Sequence, residues 1–214
     1  MTNAVTVVDY GVGNLLSVRR AFEHLGATVN FGSTADDVAS ATRLVLPGVG
    51  AFGDGMAGLA ARGLVEPLRA YAASGRPFLG ICLGMQLMFD SSDEFGKHFG
   101  LGIMPGRVVA IPPAGIDGAP HKIPHIGWSP LVMPPLRAGW DTGLFAGVPH
   151  GAYAYFVHSF TAVPQDPDNR LADCHYGGLV ISAAVSRGLI HGCQFHPEKS
   201  GTVGLKVIAN FLAL

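Results

Sequence analysis

The pentapeptide Gly80-Ile81-Cys82-Leu83-Gly84 lies where an apolar segment, residues 77–82, gives way to a helical pattern over residues 83–89. A thiol between two glycines at such a junction has the spacing of a nucleophile elbow, a tight strained turn that lifts its side chain above the strand ends. A helix N-terminus there favours the thiolate through its dipole and free backbone N–H groups, which makes attack on a carbonyl possible. The plainer alternative is a small buried cysteine in a glycine-rich strand. A base is available in Phe195-His196-Pro197-Glu198, just beyond another apolar segment. Residues two apart in extended chain share a side, so Glu198 can accept a hydrogen bond from one nitrogen of His196. The other nitrogen is then left to take the thiol proton and later protonate a leaving amine. Alone, His-Pro-Glu reads equally well as a solvated loop; beside the elbow it makes cysteine-nucleophile acyl transfer the leading reading.

Acyl transfer also needs backbone donors where charge develops on the attacked carbonyl. Pro47-Gly48-Val49-Gly50 ends a further apolar segment. Loops beyond the carboxyl ends of strands line one crevice in open α/β sheets, so this segment is expected to face the elbow, with the Val49 and Leu83 N–H groups as oxyanion donors. A simple glycine-rich turn is the competing reading.

The elements that must position these groups alternate. Residues 4–9 read as a buried β-branched strand, and Leu15, Val18, Phe22 and Leu25 give a helix face with Gly26 at its C-terminal end. A strand is predicted over 27–31, a Thr34-capped helix over 34–40, a strand over 43–46 ended by Pro47, and a helix over 64–74 stopped by Gly75. Strand 77–82 and helix 83–89 follow. The order predicts a mostly parallel sheet with helices on both faces. The second half, with Pro112-Pro113 and Pro134-Pro135, has shorter strand-like stretches at 106–111, 153–157 and 180–185, and an antiparallel extension is expected there. Residues 189–195 read as a strong strand and 202–212 as a closing helix. The expectation is one α/β domain over residues 1–214, an open, mixed, mostly parallel sheet with helices on both faces and an antiparallel extension.

Composition narrows the function classes. Apolar residues make up 49% and charged residues 14% of the 214, too apolar for disorder. Fourteen basic against fifteen acidic residues give a net charge of -1, and neither sign forms a run, so no nucleic-acid or anionic-membrane partner is expected. The apolar surplus admits either a partner-covered face or simply many alanines. The nearly apolar run 77–89 is too short to span a bilayer, the N-terminus lacks a leader pattern, and three cysteines are too few for a disulfide framework; together these predict a cytoplasmic protein. Gly11-Val12-Gly13 lacks the third glycine of a dinucleotide fingerprint, Leu16 standing in its place, so no cofactor is expected. His121 and His125 are four apart, but Pro124 argues against a helix and no cysteine or carboxylate stands at ligand spacing, so they read as surface loop rather than metal site. Trp128, Tyr153, Tyr155 and Phe156 read as core.

With these pieces assembled, the chain resembles the triad-type (class I) glutamine amidotransferases over essentially its whole length. The likeness is carried by Asp9-Tyr10-Gly11-Val12-Gly13-Asn14, Pro47-Gly48-Val49-Gly50-Ala51-Phe52, Gly80-Ile81-Cys82-Leu83-Gly84-Met85-Gln86, His125-Ile126-Gly127-Trp128, Tyr155-Phe156-Val157-His158-Ser159-Phe160 and Gln194-Phe195-His196-Pro197-Glu198-Lys199-Ser200. The opening motif and the Pro-Gly-Val-Gly segment point to the branch that supplies ammonia in histidine biosynthesis. The resemblance implies Cys82 as nucleophile on the glutamine amide, His196 as acid/base and Glu198 as its orienter. It implies Gln86 and Glu94 as glutamine-binding residues, Gly50 and Ser159 as backbone contacts, and Asn14, Lys122 and Lys199 as residues facing a partner. That partner would be a (β/α)8-barrel cyclase subunit in a heterodimer, producing imidazole glycerol phosphate and an aminoimidazole carboxamide ribotide. It also implies slow hydrolysis until the partner and its nucleotide bind, and rotation of the Gly48–Val49 peptide, eased by a positive φ at Gly48, is an expected switch. The rivals are a stand-alone γ-glutamyl cysteine hydrolase, an amidotransferase for another acceptor, and a non-catalytic binding module.

Overall fold

The computed structural model describes residues 3–135, 137–141 and 143–214. The first half alternates β1 (Ala4–Val8), α1 (Leu15–His24), β2 (Thr28–Gly32), α2 (Ala35–Ser40), β3 (Leu44–Gly48), α3 (Phe52–Ala61), α4 (Val65–Ala73), β4 (Phe78–Cys82) and α5 (Leu83–Leu87). The second half is strand-rich: β5 (Phe89–Ser92), β6 (His98–Phe99), β7 (Met104–Ala110), β8 (His125–Pro130), β9 (Tyr153–His158), β10 (Phe160–Pro164), β11 (Arg170–Tyr176), β12 (Leu179–Arg187) and β13 (Ile190–Cys193), closed by α6 (Gly201–Leu212). Seven strands form the main sheet in the order β11-β12-β13-β4-β3-β1-β2. From β2 to β13 neighbours run parallel, and β12 and β11 add the antiparallel extension. β10-β7-β5-β6 make a second sheet and β8-β9 a two-stranded ribbon.

Period-two alternation divides the central strands between two cores. Val5, Val7, Val45, Leu79 and Ile81 pack with Val18 and Phe22 of α1 and Val207, Ile208 and Phe211 of α6. Val8, Leu44, Leu46 and Phe78 pack on the other face with Val38, Leu59, Leu68 and Leu83 of the remaining helices. The predicted caps hold: Thr34 and Asp37 form a reciprocal capping box at α2, and Gly26 follows α1 at φ 76.

Four expectations are corrected. β3 runs through Pro47 to Gly48, because β1 pairs with it only at Leu44 and Val45 and Pro47 interrupts no ladder on that side. α5 ends at Leu87 rather than residue 89, since the Leu87 and Met88 carbonyls accept the N–H groups of Leu101, Ile103 and Met104 and the chain turns into β5. His125 lies buried on strand β8 and not in a surface loop. Trp128 and Tyr153, expected in the core, are 55% and 56% exposed, while Phe156 is buried. No helix among the described residues is long and apolar enough to cross a membrane.

His125, His158 and His191 are buried, and burial is the main cause that pushes each down to about 4. The unfolded chain takes up these protons near 6.5, so it binds more protons than the folded chain across that window and folding stability falls as pH drops through it. Denaturant midpoints are expected to decline from pH 7 to pH 5, and His191→Leu should reduce the slope by about one proton. A midpoint independent of pH would contradict the neutral burial.

Candidate active site

Cys82 ends β4 and caps α5 with φ 54 and ψ -112, a conformation side-chain-bearing residues seldom adopt. The flanking glycines are required by proximity rather than by their own dihedrals. A Cβ on Gly84 would land on the Leu46 carbonyl oxygen, and one on Gly80 would sit 2.7 Å from the Met85 nitrogen. The first turn of α5 is thus pressed against β3, and the β3–β4 register sets Gly48 opposite Cys82. Val49 and Gly50 emerge beside the thiol, Gly50 at φ 96. Gly48 itself is not at positive φ; a Cβ there would instead crowd the Tyr10 hydroxyl and the Leu83 Cβ. Tyr10 donates that hydroxyl hydrogen to the Pro47 carbonyl at 2.9 Å, pinning the strand end.

β13 lies on the other side of β4, pairing Cys193 with Ile81, and carries the chain to His196. The His196 backbone N–H donates to the Tyr155 carbonyl, and Ser200 Oγ donates to the His196 carbonyl while accepting from the Tyr155 N–H. The imidazole is therefore mounted on a doubly anchored backbone. Its Nδ1 is 2.7 Å from Glu198 Oε1, with both side chains buried. Its Nε2 is buried, lacks a hydrogen-bond partner of ordinary geometry among the described residues, and borders the same cavity as Cys82. Burial opposes a charge on this ring, but interactions with the Cys82 thiol and the Glu198 carboxylate outweigh it and push His196 up to about 9.

The cavity measures about 390 Å³. Cys82 lines it from the end of β4, Leu83 and Gln86 from α5, Val49 and Gly50 from just beyond β3, and His158, Ser159 and Phe160 from the β9–β10 turn. Glu94 borders it too, accepting the Phe52 N–H through Oε2 at 2.7 Å. Gln86 Nε2 donates to the Phe160 carbonyl at 3.1 Å and to Gln194 Oε1 at 2.9 Å. Cys82, His196, Val49, Leu83, Gly50, Gln86, Glu94 and Ser159 therefore meet at one cavity, with Glu198 behind His196. The three residues expected to face a partner lie outside it. Asn14 is exposed and caps α1 by accepting the Ser17 N–H; Lys122 and Lys199 are exposed. Two groups went unread in the sequence: Gln194, whose Nε2 lies 3.8 Å from Cys82 Sγ, and His158 in the cavity wall. Both lie inside motif segments that carry the family resemblance, but no role was read from them. A larger cavity of about 630 Å³ between Arg69, Leu101, Arg187 and Ile190 holds no nucleophile, and its two arginines are bonded to backbone carbonyls.

A family model described as glutamine amidotransferase class-I matches residues 6–214. The chain belongs to the class I glutamine amidotransferases. This amidotransferase is 53% identical over 212 residues to imidazole glycerol phosphate synthase subunit HisH 1 of Legionella pneumophila (strain Lens), covering 99% of this chain and 100% of the relative. It is 46% identical over 209 residues to subunit HisH of Syntrophotalea carbinolica, covering 97% and 98% of the two chains. Its fold is shared with a crystal structure of a glutamine amidotransferase at TM-score 0.71 and 16% identity, covering 98% and 99% of the two chains. PurLQS from Thermotoga maritima gives TM-score 0.71 at 20% identity, covering 100% of this chain and 98% of that one. As a family member the amidotransferase is an enzyme that takes nitrogen from glutamine, and its full-length HisH relatives place it in histidine biosynthesis.

The three thiols of this amidotransferase differ in setting. Burial pushes Cys174 and Cys193 up, and both are fully enclosed, whereas Cys82 opens on the cavity. Iodoacetamide at pH 7.5 is expected to label Cys82 alone in the folded chain, with peptide mass mapping as the check. Labelling of Cys174 or Cys193 at a comparable rate would contradict this geometry.

Proposed function

We propose that this chain is the glutaminase subunit of an imidazole glycerol phosphate synthase, with Cys82, His196 and Glu198 as its catalytic triad. The observation that carries the reading is the convergence of the elbow thiol and the Glu198-bound imidazole on one cavity. Cys82 Sγ adds to the side-chain carboxamide carbon of glutamine as His196 takes the thiol proton. The carbonyl oxygen becomes an oxyanion facing the N–H groups of Val49 and Leu83. His196 returns the proton to nitrogen, the C–N bond breaks, ammonia leaves and a γ-glutamyl thioester remains. Water, deprotonated by His196, then opens the thioester to glutamate and the free thiol. Glu198 holds the ring in the tautomer with hydrogen on Nδ1 and stabilises the imidazolium. Gln86, Glu94, Gly50 and Ser159 form the glutamine-binding wall.

The ammonia acceptor is a separate (β/α)8-barrel cyclase subunit in a cytoplasmic heterodimer, which uses the nitrogen to form imidazole glycerol phosphate and the aminoimidazole carboxamide ribotide. The relatives' name as a synthase subunit supports a partner. So does the β8–β9 ribbon, which exposes Ile126, Trp128 and Tyr153 on strands whose Val157 borders the cavity. Asn14, Lys122 and Lys199 face this partner. The Gly48–Val49 peptide is the switch, and Gly48→Ala should weaken partner activation by crowding Tyr10 and Leu83 rather than by blocking a positive φ.

Glutamate release is the test, measured for the chain alone and with the cyclase subunit carrying a ribulosyl nucleotide ligand. Wild type is expected to be slow alone and strongly activated in the complex, Cys82→Ala inactive, and Glu198→Gln lowered by about 10²–10⁴ in kcat. A fast rate from the isolated chain would favour the stand-alone hydrolase, and a rate that survives Cys82→Ala would overturn the reading.

A further inference from the structure

The cavity wall opposite α5 is held by a relay of buried side chains outside the triad. His158, at the end of β9, borders the cavity and places Nδ1 2.7 Å from the Phe160 carbonyl oxygen. Its Nε2 is 3.0 Å from His125 Nδ1, and His125 Nε2 is 2.8 Å from Ser129 Oγ. A carbonyl oxygen only accepts, so His158 Nδ1 carries hydrogen and, in the neutral ring, Nε2 accepts. His125 Nδ1 must then donate to it, and His125 Nε2 accepts from the Ser129 hydroxyl. Both tautomers follow from one carbonyl, and every hydrogen points from β8 toward the cavity. The neutral state of both rings agrees with their burial.

Two further observations separate this relay from ordinary core filling. His125 is clamped between Phe156 and Tyr176, stacked at 5.0 and 4.1 Å, which fixes the plane of its ring, and the bonds to His158 and Ser129 select which way round it lies. The Phe160 carbonyl at the relay's end is also the acceptor for Gln86 Nε2, and Gln86 continues through Gln194 to within 3.8 Å of Cys82 Sγ. The turn that carries Ser159 is thereby tied from both sides: through His158 to β8 and through Gln86 to α5.

We propose that His125 and His158 are positioning residues that hold the Ser159–Phe160 turn, one wall of the glutamine pocket, at its binding geometry through a one-directional hydrogen-bond relay from Ser129. The proposal rests on the glutaminase reading above. A residue of this kind affects substrate and transition state alike, so its loss should appear in KM more than in kcat.

The test uses the complex with the cyclase subunit and compares wild type, His125→Leu, His125→Asn and Ser129→Ala, each checked for fold by circular dichroism. Asparagine sets its amide nitrogen near the place of imidazole Nδ1 and can still donate to His158; leucine cannot. His125→Leu is expected to raise KM for glutamine by about tenfold with kcat changed by less than about threefold, and His125→Asn to recover most of that loss. Ser129→Ala should raise KM by a few-fold, and if the leucine variant fails to fold, the alanine variant decides: a raised KM with kcat changed by less than about threefold supports the relay, and an unchanged KM overturns it. An unchanged KM in a folded His125→Leu, equal KM for the leucine and asparagine variants, or a fall in kcat at constant KM would also overturn it. Absence of Cys82-dependent glutamate release from wild type would instead overturn the glutaminase reading, and this proposal with it.

Discussion

A residue with a side chain stays at φ 54 and ψ -112 only when its surroundings leave it no easier conformation, and Cys82 is in that position. The strand before it is locked into the sheet on both sides, by β3 and by β13. The helix after it is pressed so closely on β3 that Gly84 has no room for a methyl group beside Leu46. Neither flank can shift to relax the turn. The thiol is therefore held at the carboxyl ends of three parallel strands, and the other functional segments reach it because they leave those same ends: 48–50 from β3 and 194–198 from β13.

Electrostatics follow from that placement. His196 is buried, which disfavours charge, yet it stands between a thiol and a carboxylate, and their combined effect prevails. In the proposed mechanism this imidazole takes a proton from sulfur and remains an ion while the acyl transfer proceeds. His125 and His158, equally buried and hydrogen-bonded to each other, a serine and a carbonyl, are pushed the opposite way, mainly by burial. The His125–His158 side of the pocket is thus built of neutral dipoles, in contrast to the imidazole beside the thiol and the Glu198 carboxylate.

The segments proposed as catalytic were legible in the sequence because each is a short local pattern attached to a strong strand. Gly80 to Gly84 closes a continuous apolar run, and His196 and Glu198 are two residues apart after another. β8 was not legible, since its inward residues His125 and Ser129 are polar and satisfied by each other while Ile126 and Trp128 face outward, the reverse of the usual alternation. α3 escaped notice because Gly53, Gly55 and Gly58 argue against a helix. All three glycines mark close contacts, Gly53 against the His98 ring, Gly55 against Leu87 and Gly58 against the Tyr10 backbone, that only the tertiary arrangement reveals. Gln194 and His158 are likewise defined by what the fold brings beside them.

The central claim is that Cys82 forms a covalent bond to the γ-carbonyl of glutamine. Its most direct test is mass spectrometry of the complex with the cyclase subunit, quenched in acid during turnover of glutamine and digested with a protease. The account predicts a γ-glutamyl adduct on the peptide carrying Cys82 and none in the Cys82→Ala chain; glutamate released at full rate with no adduct under any quench time, or an adduct on Cys174 or Cys193 instead, would contradict it.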